Sequence, residues 1–145
     1  MSNYEQHRVE TTNKIKIPES LFEFNSPNFV KIMSEHGDAD KFAKNLRKLK
    51  STQLRKFFDE IKSIEKELKT KKDADEALNK LLLLVPKIKY SKARDLVPEE
   101  FSEFVSKSVK RIVNSSDKEK EKMIINFVKI FEAIIAYHKY HYPKS

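Results

Sequence analysis

Residues 81–95 read LLLLVPKIKYSKARD. Four leucines and a valine lead into a proline, and Lys87, Lys89, Lys92 and Arg94 then follow around Tyr90. At about 100° per residue, Leu81, Leu84, Val85 and Ile88 share one side of a helix. Lys87, Tyr90 and Arg94 share roughly the opposite side, at steps of three and four. One helix with an inner leucine stripe and an outer basic stripe therefore accounts for the whole stretch. Pro86 lacks a backbone donor and crowds the turn before it, so a kink or break is expected there.

The same period continues on both sides. QLRKFFDEIKSIEKELK places apolar residues at 54, 57, 58, 61, 64 and 68, one helical stripe beginning near Ser51 and Thr52. Arg55, Lys62, Lys66 and Lys69 form a neighbouring stripe. TKKD at 70–73 is a charged connection, and Asp73 or Asp75 starts the leucine helix. Pro98 opens a helix with Phe101, Phe104, Val105, Val109 and Ile112 inside. NSSD at 114–117 caps a last helix carrying Ile124, Phe127, Phe131, Ile134 and Ile135 and ending in AYHKYHYP. Earlier, NFVKIMSEHG reads as a short helix with Phe29, Ile32 and Met33 inward and Gly37 as its stop. Asp38 then starts a helix to about Leu49, with Phe42, Ala43, Leu46 and Leu49 inside.

The expected fold is all-α: a compact bundle of about five helices plus a short N-terminal one, a single domain over 27–145. Residues 1–26 form an N-terminal arm with no clear period, although Leu21, Phe22 and Phe24 are costly to leave in water. The single glycine leaves no Walker loop, no dinucleotide fingerprint and little hairpin chemistry. With no cysteine, disulfide frameworks, thiolate catalysis and zinc-thiolate sites are excluded. MSNYEQHRVE holds no apolar run, no stretch is long and apolar enough to span a membrane, and the expected location is the cytoplasm.

The net charge of +8 is uneven: residues 37–97 hold seventeen bases against ten acids. Such an excess suits RNA or DNA, then an acidic protein or membrane surface, and equally a solvated lysine-rich face. Two basic clusters stand out as candidate RNA contacts. One is Lys48, Lys50, Gln53, Arg55 and Lys56, around a helix start whose free backbone donors suit phosphate. The other is Lys87, Lys89, Tyr90 and Arg94, in which cations neutralise phosphate and the tyrosine stacks on a base or packs internally. His138 and His141 lie three apart with no third ligand suggested, so no metal site and no cofactor are expected. They keep open a helical ribonuclease as an alternative. Neither Arg94 nor Arg111 has a histidine within the next six residues, the spacing one such family uses. No active site is evident, and no small-molecule substrate is expected.

Three stretches together, STQLRKFFDEI, LLLLVPKIKYSKARD and FVKIFEAIIAYHKYH, resemble the small helical subunit of type III-A CRISPR effector complexes, the Csm small subunit. The resemblance covers roughly residues 39–142. It departs from the family at Ser91-Lys92-Ala93, where small residues are expected before the arginine. It implies a non-catalytic subunit, several copies of which stack beside the guide RNA–target RNA duplex among other Csm subunits. Cutting would then belong to neighbouring subunits, and this chain would grip backbone without reading sequence. Tyr137 and Tyr140 become candidate contacts with a neighbouring copy. Without the resemblance, a freestanding nucleic-acid-binding or protein-interaction bundle is the alternative.

Overall fold

The computed structural model describes residues 16–144, so most of the expected N-terminal arm lies outside the described residues. Within them a 3-10 turn, Glu19–Phe22, precedes α1 (Phe29–Met33) and α2 (Asp38–Lys44). The longer helices follow: α3 (Ser51–Lys71), α4 (Ala74–Ala93), α5 (Glu99–Val113) and α6 (Asp117–His141). No strand occurs among the described residues, and the fold is an all-α bundle.

The apolar stripes meet around α6, which packs against every other α-helix. Phenylalanine fills the centre: Phe22 and Phe42 meet Phe104, Phe24 meets Phe127, and Phe101 lies between Phe57 and Phe131. The centroids of these pairs lie 5.5–6.1 Å apart, the range of favourable aromatic contact. Leu21, Phe22 and Phe24 are fully buried in this core, so the segment before α1 belongs to the packed unit. Arg111 holds it down, donating to the Phe22 carbonyl at 3.3 Å and pairing with Glu19 at 2.9 Å.

Several local expectations differ from the structure. Phe29 is 38% exposed, because α1 has only five residues and turns Ile32 alone fully inward. The left-handed residue after α1 is His36, at φ 66°, and not Gly37, which is extended and precedes α2. Gly37 is required for another reason: a Cβ there would stand 2.6 Å from the Lys31 carbonyl oxygen. The helix expected to reach Leu49 ends at Lys44, and Leu46 and Leu49 are buried from turns. Pro86 does not break α4. Leu82, whose carbonyl loses its donor there, is exposed, so water can satisfy it.

Candidate nucleic-acid interface

Two residues, Lys72 and Asp73, join α3 to α4. Lys72 takes the left-handed conformation at φ 58°, and the Asp73 side chain accepts from the Glu76 backbone N–H at 3.0 Å. So short a reversal makes the helices antiparallel and fixes their register. Each two-turn step of seven residues back along α3 meets seven residues forward along α4. Glu67 pairs with Lys80, and Glu60 with Lys87 at 3.2 Å. The Lys80 and Lys71 ammonium groups beside Glu67 hold its carboxyl down at about 2.

The next step sets Gln53 level with Arg94, and there the ion pairing stops. Gln53 has no charge to offer, and among the described residues no carboxylate pairs with Arg94. Its guanidinium lies over the Tyr90 ring, 5.7 Å from the centroid. An open groove of about 640 Å³ runs along this end of the α3–α4 pair. Gln53, Lys56 and Glu60 line it from α3, Leu83, Pro86, Lys87 and Tyr90 from α4, and Arg94 from the C-cap of α4.

Five of the residues singled out in the sequence thus meet in one groove: Gln53, Lys56, Lys87, Tyr90 and Arg94. Tyr90 is 64% exposed, which decides against internal packing. Arg55, also on α3, is exposed outside the groove lining. Lys48 lies in a turn and Lys50 at the N-cap of α3, both exposed near the Gln53 end. Lys89 faces elsewhere: it lines a separate groove with Lys107, Lys110 and Arg111 of α5. Helical phase explains this, since two residues beyond Lys87 is about 200° around the axis.

Leu83, Pro86 and Glu60 were not anticipated. Leu83 is 63% exposed, and phase alone sets it with Pro86, Tyr90 and Arg94 at steps of three and four. Glu60 needed the interhelical register.

His138 and His141 tie the last helix to the rest of the bundle. His138 is 1% exposed and donates through Nε2 to the Leu46 carbonyl at 3.1 Å; burial pushes its pKa below the usual 6.5. His141 Nε2 bonds the buried carboxylate of Asp40, which also accepts from the His36 backbone N–H at 2.8 Å. Burial pushes the Asp40 pKa up, but these two bonds outweigh it and leave it below the ordinary value. The Tyr137 hydroxyl donates to the Met33 carbonyl at 2.5 Å, whereas Tyr140 is 75% exposed. Among the described residues no cluster of acidic or histidine side chains is arranged for a metal, and no helix is long and apolar enough to cross a membrane.

Compared with known proteins, the family model Csm2 Type III-A matches residues 31–144. No curated protein and no solved structure matches the chain.

Proposed function

The chain belongs to the Csm2 Type III-A family, a small subunit of type III-A CRISPR complexes, and from that premise we propose that it is a non-catalytic RNA-gripping subunit. Copies stack beside the guide RNA–target RNA duplex within the cytoplasmic complex, with the α3–α4 groove turned toward the target strand. Arg94, Lys87 and Lys56 hold phosphate oxygens, Gln53 and Tyr90 supply neutral donors, and Arg55, Lys50 and Lys48 extend the positive field along α3. Tyr140 touches a neighbouring copy. The non-catalytic reading is supported by His138, which is buried and engaged with the Leu46 carbonyl, out of reach of a substrate.

The observation that carries this reading is the open third step of the α3–α4 ladder. A guanidinium that has no carboxylate partner among the described residues and is held over Tyr90 keeps its donors for an outside anion. The test is to place Arg94→Glu in every copy and measure target-RNA retention by the assembled complex, with the melting temperature of the free subunit beside it. Arg94 is exposed, so the change in stability should stay within about 0.5 kcal/mol. A hydrogen bond to a charged group contributes about 1.5–3 kcal/mol, so retention should fall about ten- to a hundredfold per copy before avidity softens the loss. Lys89→Glu, made on the α4–α5 side, should cost much less. Equal losses from the two variants, or no loss from either, would refute the assignment of the groove.

A further inference from the structure

We propose that the α3–α4 groove receives an unpaired nucleotide, its base lying on Tyr90, Pro86 and Leu83 and its phosphate on Lys56, Lys87 and Arg94. This rests on the RNA-gripping reading and narrows it from backbone in general to a base out of its stack.

The groove carries more apolar surface than a phosphate clamp needs. Leu83 is 63% exposed, Tyr90 is 64% exposed, and Pro86 is exposed between them on the same face of α4. A chain that buries Leu81, Leu84 and Ile88 almost completely leaves this neighbouring ridge in water. Exposed apolar surface grouped in a groove and rimmed with charge marks a binding site. Paired nucleic acid presents phosphate and sugar outward and hides its base faces within the stack, so it would cover the cations and leave the ridge wet. An unstacked base brings the missing flat apolar face.

Tyr90 is arranged for that face. Arg94, four residues further on at the C-cap of α4, lies across the ring, with its guanidinium carbon 5.7 Å from the centroid. The exposed remainder of the ring is left for a planar partner, and base–aromatic stacking is tolerant of sequence. The volume of about 640 Å³ falls within the range of small-ligand pockets, which admits a nucleotide. A protein side chain could also cover the ridge. The rim argues for phosphate: Lys56, Lys87 and Arg94 set three cations against the single carboxylate of Glu60.

The experiment titrates the full chain with two fluorescent oligonucleotides of equal length. One is a single-stranded RNA and the other an abasic strand with the same phosphates. Wild type should bind the base-bearing strand about five- to a hundredfold more tightly. Tyr90→Ala and Leu83→Ser, both at exposed positions whose melting temperatures should hold, should bring the two affinities together. Each phosphate neutralised should still steepen the salt dependence by about 0.7 in log–log slope, in wild type and variants alike. Equal binding of both strands by wild type, with salt dependence intact, overturns the base site and leaves the RNA-gripping reading standing. If neither strand binds in a salt-dependent way, that reading fails as well. Base preference that survives both substitutions puts the base elsewhere and overturns the assignment. So does a complex assembled from the variants that keeps its RNA but sheds another subunit, since the ridge would then be a protein contact.

Discussion

Glu60 is the carboxylate inside the groove, and removing its charge should tighten RNA binding. Its Oε2 lies 3.2 Å from Lys87 Nζ, so Lys87 now spends part of its charge within the chain. The pair is open to solvent, and such pairs contribute about 0–1 kcal/mol to stability. Glu60→Gln should therefore move the melting temperature very little. The effect on a bound phosphate has two parts. A carboxylate about 7 Å from a phosphate repels it by about 0.6 kcal/mol at the dielectric of water, and salt near physiological strength roughly halves that. Releasing Lys87 adds one cation for phosphate, worth about 0.7 in log–log salt slope for a single strand. Together these predict an affinity gain of about two- to fivefold, or about 0.4–1 kcal/mol.

The assay is a titration of labelled single-stranded RNA at several salt concentrations. Wild type is compared with Glu60→Gln and with Glu67→Gln. Glu67 lies two turns further along α3 and pairs with Lys71 and Lys80, none of which lines the groove, so its variant should bind as wild type does. Weaker binding by Glu60→Gln, or an unchanged salt slope, would refute the reasoning. Glu60 would then be positioning Lys87 for phosphate and not competing for it.

Two further outcomes concern the bundle itself. The pKa of His138 is depressed by burial, so its contribution to stability is complete above about pH 6.5 and is lost as the pH falls toward the folded value; the melting temperature should drop from about pH 7.5 to about 5.5, and His138→Gln should flatten that drop, whereas an equal slope in both proteins would assign it to other groups. The Ser108 hydroxyl on α5 is fully buried with no hydrogen-bond partner among the described residues, so Ser108→Ala should raise stability by about 1 kcal/mol in thermal denaturation, and a loss would mean that the hydroxyl has a partner in solution.

The helices were legible because each carries one stripe whose period is local. Leu54, Phe57, Ile61, Ile64 and Leu68 lie inward on α3 as their spacing requires. The turns were less legible, because what decides them is distant in sequence or is backbone. Gly37 looked like a helix stop, but what demands glycine is its approach to the Lys31 and Ser34 carbonyl oxygens. Leu46 and Leu49 kept a helical spacing and are buried without a helix; the Leu46 carbonyl takes a bond from His138 of α6, a partner distant in sequence. Tyr137 shows the same limit in the site: its exposure could not be read from its own stripe, because the Met33 carbonyl that takes its hydroxyl is supplied by α1.

The candidate groove was half legible for a related reason. The excess of seventeen bases over ten acids in residues 37–97 identified a region but not a surface. Five of the nine lysines on α3 and α4 are engaged at home, Lys62 and Lys69 with Glu65, Lys71 and Lys80 with Glu67, and Lys87 with Glu60, as is Lys72 of the reversal with Glu121. A count of charges weighs these equally with Arg94, although an anion arriving from outside must compete with carboxylates for the former and not for the latter. What separates them is interhelical register, and the two-residue reversal at Lys72 and Asp73 sets it. Once those residues fix which turn of α3 faces which turn of α4, Glu67 and Glu60 each meet a lysine. The neutral Gln53 then falls opposite Arg94. An amide at that position, where the two earlier steps hold an acid, leaves the ladder open beside the exposed ridge of Leu83, Pro86 and Tyr90.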